Sequence, residues 1–291
     1  MKLAAIDIGS NAVRLLLCNV METKDEVLFK KAELVRMPVR LGEDAFTLNK
    51  ITKEKENQLV TIMKAYSLLI DAFGAVDSHA CATAAMRDAA NSQQIIERVY
   101  KESGIEIELI DGRTEAFIIY SNHIEEHLDH SQSYLYIDVG GGSTELTLFS
   151  NNKVVASQSF NIGTLRLLND QVTKEYWQFF KSWIKEQCAS YYPLTAIGSG
   201  GNINKMFKML VKKESKMLTY DKIKEFNESL RNTSLEERIT VLGLNPDRAD
   251  VILPASRIFL TVMKNAGINE ILVPQIGLSD GIIHQLYEKH A

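Results

Sequence analysis

No apolar run in these 291 residues approaches the roughly 20 needed to span a bilayer as a helix, so a helical membrane anchor is not expected. The opening stretch MKLAAIDIGS carries Asp7 where a signal peptide would need uninterrupted apolar residues, which argues against secretion. Cysteine is scarce: Cys18, Cys81 and Cys188 are odd in number and far apart, so no disulfide framework is expected. Two of the three sit in apolar stretches where a free cysteine acts as a small hydrophobe, and a cytoplasmic setting fits. An excess of positive charge is also missing, with 33 Lys and Arg against 37 Asp and Glu for a net −4. A long footprint on nucleic acid is therefore excluded as a partner. An acidic chain can still hold an anion, but only through a local set of backbone N–H groups, arginines and a metal.

What remains is an ordinary globular balance, 45% hydrophobic and 24% charged, in a chain long enough for two lobes of roughly 120–150 residues. Leu3 to Ile8 is a short apolar strand stopped by Gly9-Ser10-Asn11. Strands over Arg14–Val20 and Glu26–Val35 follow. Lys53 to Phe73 is a helix by its period, with Leu59, Ile62, Met63, Tyr66, Leu69 and Ile70 on one side. A strand over Ser78–Ala84, a helix over Ser92–Ser103, a strand over Ile105–Ile110 and a helix over Thr114–His127 complete the first half. The second half has strands at Ser133–Val139, Thr144–Phe149 and Val154–Phe160, then a helix over Thr173–Cys188 and a strand at Thr195–Ile197. Lys205–Leu242 reads as mostly helical. Val251–Asn265 is a helix, Glu270–Val273 a last strand, and Ser279–Glu288 a closing helix.

The order repeats. AIDIGSN at 5–11 and YIDVGGGST at 136–144 are two copies of a strand ending in Ile-Asp, a glycine turn with a hydroxyl residue, and a second strand. Each opens a similar run of strands and helices, which predicts two similar α/β lobes facing each other. The junction is expected after residue 117, giving lobes over 1–117 and 118–278, with the closing helix (279–291) packed back on the first.

Three glycine turns follow strands: Gly9-Ser10-Asn11, Gly140-Gly141-Gly142-Ser143 and Gly198–Gly201, which includes Gly200. Glycine lets backbone N–H groups approach an anion closely. Ser10, Asn11, Ser143, Thr144, Ser199 and Asn202 add side-chain donors. Two such turns in register within a repeat favour phosphate-binding hairpins over plain hairpins of a duplicated sheet. Asp7 and Asp138 end buried strands, where a carboxylate is costly unless a cation or donors meet it. Glu145, seven residues beyond Asp138, lies on the adjacent strand of the same hairpin. Carboxylates beside phosphate suit Mg²⁺. A solvated strand position is the alternative for Glu145.

The motifs AIDIGSNAVRLLL (5–17), ATAAMRDA (82–89), LIDGRTEA (109–116), YIDVGGGSTEL (136–146), SFNIGTLRL (159–167), AIGSGGNI (196–203) and DRADVILPA (247–255) run in one order along most of the chain. Together they resemble the exopolyphosphatase and guanosine pentaphosphate phosphohydrolase (Ppx/GppA) family. That family falls within the actin, Hsp70 and sugar-kinase superfamily. The resemblance implies two ribonuclease H-like lobes with a cleft between them. It implies Mg²⁺-dependent hydrolysis of a terminal phosphoanhydride, with Mn²⁺ as a substitute metal. Polyphosphate or guanosine pentaphosphate is the implied ligand. By the same resemblance Glu115 aligns and activates the attacking water, and Arg87 clamps phosphate. Asp138 and Glu145 bind the metal with Asp7 as a further acid, Gly140–Ser143 cradles phosphate, and Arg248 points at the ligand. Larger members carry a helical HD-type domain that these residues lack, so a short form is expected. A threonine is expected where Asn202 stands.

For Glu115 the residues alone favour a first-turn helix acid; for Arg87 an ion pair with Asp88 or Glu97 is the alternative to the phosphate clamp. Lys205, Lys208, Lys212, Lys213 and Lys216, with Lys222 and Lys224, read either as a track for a polyanion or as a solvated face balanced by Glu214, Glu225 and Glu228. His123-Ile-Glu-Glu126-His127 matches a zinc-peptidase spacing, but such a short pattern in a polar stretch arises easily by chance. Tyr176, Trp177, Phe179, Phe180 and Trp183 read as helix packing, with a homodimer surface as the other option. An actin-like ATPase, a sugar kinase and a non-catalytic phosphate sensor are the rival functions. Glu115 argues against the sensor.

Overall fold

The computed structural model describes residues 1–24, 26–120, 132–151, 153–211, 215 and 217–291, and the chain divides into two compact units. One comprises Met1–Asn122 with Leu278–Ala291, the other His123–Gly277.

In the first unit the elements are β1 (Lys2–Ile8), β2 (Ala12–Glu22), β3 (Val27–Pro38), α1 (Leu41–Leu48), α2 (Lys53–Phe73), β4 (Asp77–Ala82), α3 (Ala84–Asp88), α4 (Ser92–Ser103), β5 (Ile107–Leu109) and α5 (Gly112–Tyr120). The sheet order is β3-β2-β1-β4-β5. β1 is central, antiparallel to β2 and parallel to β4, and is covered on both faces. That explains its almost unbroken apolar run. Ala4, Ile6 and Ile8 pack with Val13, Leu15 and Leu17 against Leu59, Met63 and Tyr66 of α2 and Val99 of α4. Each such large aliphatic side chain contributes about 1.5–3 kcal/mol by burial. The Tyr66 hydroxyl is satisfied by the carbonyls of Val13 and Val35 at 3.1 and 3.2 Å. On the opposite face runs the last helix, α13 (Leu278–His290), which contacts β1, β2, β4 and α5. Its end is held by Lys289 and His290 on Asp77, at 2.9 and 2.8 Å.

α2 starts where Asp44 of α1 accepts the Thr52 N–H at 2.9 Å and its hydroxyl at 2.5 Å, with the Lys55 ammonium 2.9 Å away. Burial alone would raise the Asp44 pKa. The Thr52 and Lys55 hydrogen bonds overcome it and hold the carboxyl below its usual value. A lowered folded-state pKa means stability that is present above the unfolded value and is lost as pH falls through the folded one. Asp44→Ala should thus cost about 1–3 kcal/mol at neutral pH. In urea denaturation the gap to the parent should narrow below about pH 4. A gap independent of pH would assign the loss to packing instead.

The second unit repeats the plan: β6 (Ser133–Val139), β7 (Thr144–Ser150), β8 (Lys153–Phe160), α6 (Thr164–Leu168), α7 (Lys174–Cys188), β9 (Leu194–Ser199), α8 (Gly201–Leu210), β10 (Met217–Thr219), α9 (Tyr220–Arg231), α10 (Leu235–Thr240), α11 (Pro246–Ala249), α12 (Ile252–Ala266) and β11 (Glu270–Leu272). The order β8-β7-β6-β9-β11 matches β3-β2-β1-β4-β5 strand for strand, with β10 added at the edge. Both sheets have ribonuclease H-like topology. The stretch expected to be helical from Lys205 to Leu242 is therefore broken by β10, which pairs antiparallel with β11. Trp177 and Phe180 of α7 are buried, Phe180 and Trp183 lying 4.8 and 5.3 Å from the Phe160 ring. Phe179 is the exposed member of the aromatic group.

The His123–His127 pattern and Lys212, Lys213, Glu214 and Lys216 lie outside the described residues. No helix among the described residues is long and apolar enough to cross a membrane.

Candidate active site

The glycine turn of the second unit is built by its surroundings. Gly140 N–H closes on the Ser143 carbonyl at 2.9 Å. Thr164 N–H donates to the Gly140 carbonyl at 3.1 Å and Leu165 N–H to the Gly141 carbonyl at 2.9 Å. Arg166 Nε donates to the Gly142 carbonyl at 2.8 Å. All three glycine carbonyls thus point toward the start of α6. Because a peptide plane carries its C=O and the following N–H on opposite sides, the N–H groups of Gly141, Gly142 and Ser143 are turned away from α6. Successive N–H groups turned to one side are what an anion-binding turn requires.

The first unit has the same device. The Ser10 carbonyl takes the Gly42 N–H at 2.8 Å and the Asn11 carbonyl takes the Arg40 N–H at 3.1 Å, so α1 holds that turn as α6 holds the other. Ser10 and Ser143 are buried.

Packing at the second turn is tight enough to require glycine at Gly163. A Cβ there would lie 2.3 Å from the Gly141 carbonyl oxygen and 2.4 Å from backbone carbons of Gly141 and Gly142. Backbone cannot step aside as a side chain can. Gly163→Ala should displace the turn, with a drop in melting temperature of several degrees. An unchanged melting temperature would show that the turn has room to give.

The residue facing the repeated aspartate differs between the two hairpins. Asp7 lies opposite Arg14 across its hairpin and is ion-paired with it. Asp138, in the corresponding place, lies opposite Glu145. Glu145 is only 4% exposed, which removes the solvated alternative, and it accepts from Ser159 Oγ at 2.8 Å. Two carboxylates directly opposite each other are destabilising on their own. A divalent cation would remove the repulsion, and an all-oxygen donor set suits a hard ion such as Mg²⁺ or Mn²⁺. Asp7, in the corresponding place of the first hairpin, faces the base Arg14 rather than an acid. The fit is thus to Asp138 and Glu145.

Asp138 also abuts Gly200. That residue sits at φ +96°, and a Cβ there would be 2.6 Å from the Asp138 carboxylate. Ser199 Oγ and Thr164 Oγ1 are fully buried and have no hydrogen-bond partner among the described residues. An unpaired buried hydroxyl costs about 1–3 kcal/mol, so both are natural contacts for a ligand or water at this turn. Arg248 Nη1 donates to the Gly201 carbonyl at 2.8 Å, at the start of α8.

In the first unit, α5 begins where Asp111 accepts the Thr114 N–H at 2.7 Å, which lowers the Asp111 pKa. One step on, Glu115 is 9% exposed. Arg87, at the end of α3, donates through Nη1 to the Ile110 carbonyl at 2.8 Å and to Glu115 at 3.2 Å. Among the described residues its hydrogen-bond partners are thus Ile110 and Glu115. All three cysteines are free and buried, and burial pushes their thiols up to about 11, 12 and 11 for Cys18, Cys81 and Cys188. None is primed as a nucleophile. Arg166 went unweighed in the sequence, although it stands in the SFNIGTLRL motif.

Two ribonuclease H-like units, each with a strand–glycine turn–strand hairpin clamped by a short helix, define the class as the actin-like α/β fold. The chain belongs to the Ppx/GppA phosphatase family, whose model matches residues 20–290. A bifunctional 3-dehydroquinate synthase/phosphatase of Fusobacterium nucleatum is 29% identical over 94% of this chain, which spans only 44% of that protein. Exopolyphosphatase 1 of Mycobacterium tuberculosis is 22% identical, over 100% of this chain and 90% of its own length. Among solved structures, an exopolyphosphatase from Cytophaga hutchinsonii superposes with a TM-score of 0.87 at 23% identity, covering 99% of this chain and 98% of that one.

Proposed function

We propose that this chain hydrolyses the terminal phosphoanhydride of inorganic polyphosphate with Mg²⁺, releasing orthophosphate. The observation that carries the reading is the opposed acid pair Asp138–Glu145 beside a turn whose N–H groups are aimed away from α6. Family membership and the similarity to exopolyphosphatase 1 support it.

In this reading the N–H groups of Gly141, Gly142 and Ser143 hold the terminal phosphate oxygens, with Ser10, Asn11, Gly200 and Arg248 assisting around the chain. Asp138 and Glu145 hold the metal, with Asp7 at most an outer acid. Bound Mg²⁺ would neutralise charge on the phosphate oxygens. Glu115 accepts a hydrogen bond from the attacking water and holds it in line with the bond that breaks. Arg87 orients Glu115 and offers its remaining N–H groups to phosphate. Little covalent chemistry is asked of the protein: position and charge carry the rate.

Guanosine pentaphosphate is the second reading, since it too ends in a phosphate on an anhydride chain and the family takes in both activities by its name. Phosphate release with Mg²⁺ from short polyphosphate, long polyphosphate, guanosine pentaphosphate and ATP ranks them. Fastest release from either polyphosphate supports the proposal, and preference for the pentaphosphate supports the second reading. Turnover of ATP alone would assign an actin-like ATPase. Binding without release from any would assign a sensor.

A further inference from the structure

Cys81, His79 and Glu108 take no part in the reaction above, yet they stand together. β4 pairs in parallel with β5, with Cys81 opposite Glu108. The two-residue period of a strand puts His79 on the same face of β4 as Cys81. His79 Nε2 is 2.8 Å from Glu108 Oε2, and one donor atom from each of the three residues lies within 4.8 Å of the others. Cys81 is fully buried, while the His79 and Glu108 side chains are 37% and 57% exposed. The thiol therefore forms a floor, and the imidazole and carboxylate form a rim that solvent reaches.

A set of one sulfur, one nitrogen and one oxygen is a poor match for Mg²⁺, which takes oxygen ligands, and a good one for a borderline ion. Zinc bonds of about 2.0–2.3 Å place tetrahedral ligand atoms about 3–4 Å apart. His79 and Glu108 need only part slightly to reach that spacing, and Cys81 need only close on them. We propose that Cys81, His79 and Glu108 bind a single zinc-class transition-metal ion, with a fourth coordination position left open to solvent. Asp7 lies beside Cys81 across the β1–β4 pair, but the three ligands share no residue with Asp138 and Glu145, and the site stands whether or not the phosphatase reading does.

Binding breaks the Cys81 S–H bond, forms the sulfur–metal bond and releases one proton to solvent. Burial, reinforced by the charges of Glu108, Asp7 and Glu115, pushes the metal-free thiol up to about 12. The thiol is thus protonated at neutral pH until a metal displaces its proton. The competing account is a cross-strand His–Glu pair above a packing cysteine.

The test is a Co²⁺ titration of the metal-free, reduced full chain with excess Mg²⁺ present to fill oxygen-only sites. A near-ultraviolet thiolate-to-cobalt band saturating at one Co²⁺ per chain, and bleached by Zn²⁺, is expected. Cys81→Ser should abolish the band, while Cys18→Ser and Cys188→Ser should keep it. His79→Ala and Glu108→Gln change partly exposed side chains and should fold. Each is expected to weaken Co²⁺ binding at least about tenfold. Absence of the band in the parent chain, its survival in Cys81→Ser, or unchanged affinity in both rim variants would overturn the proposal.

Discussion

Glu115→Gln is expected to lower phosphate release by about 10²–10⁴-fold while leaving the fold intact. The amide keeps the size of the carboxylate, and its oxygen can still accept from Arg87, which also keeps its bond to the Ile110 carbonyl. What disappears is the negative charge and the basicity that hold a water for attack. Melting temperature should hardly move, and substrate binding should survive. Arg87→Lys separates the two jobs of the arginine. An ammonium lacks the planar fork that can serve Ile110, Glu115 and a phosphate together, so turnover should fall more than KM rises. If Glu115→Gln kept full turnover, the residue would be only a helix-start acid anchored by Arg87. A variant that lost stability and activity together would point the same way.

Glu145→Gln should give the opposite signature in stability. Removing one charge from a directly opposed acid pair relieves repulsion, so the metal-free chain should be as stable as the parent or more so. The Mg²⁺ concentration for half-maximal phosphate release should rise at least about tenfold, because a ligating oxygen loses its charge. Asp7→Asn offers the internal comparison. It breaks an ion pair with Arg14 rather than a like-charge pair, so it should destabilise the chain with little change in the Mg²⁺ requirement. Thermal melts with and without Mg²⁺, beside Mg²⁺ titrations of turnover, read both effects. If Glu145→Gln destabilised the metal-free chain, the account of that pair would be wrong.

Much of the fold was legible because long periodic segments declare themselves. α2 matches its expected span, Lys53 to Phe73, and ends on Gly74 at φ 72°. The repeat announced two related sheets, and the strand orders agree. The short helices α1 and α6 were not legible, since contacts to turns hold them: Gly42 N–H on Ser10, and Thr164 and Leu165 N–H on Gly140 and Gly141. β10 escaped for a related reason, as three residues between polar flanks show no alternation and only pairing with β11 makes them a strand.

At the candidate site the sequence marked Asp7 and Asp138 as equivalents, and the structure separates them. The signal was available. Seven residues past Asp138 stands Glu145, and seven past Asp7 stands Arg14, so one hairpin sets acid against acid and the other acid against base. Arg166 was legible only as part of a motif. Its role in holding the Gly142 carbonyl depends on where α6 begins, which no local pattern reveals.

The most direct measurement is phosphate release from polyphosphate by the chain stripped of divalent ions, followed by return of Mg²⁺. The account predicts no release without metal, release restored by Mg²⁺, and no restoration at the same Mg²⁺ concentration in Asp138→Asn. Full release in the presence of chelator, or an Asp138→Asn variant with the parent's Mg²⁺ response, would contradict it.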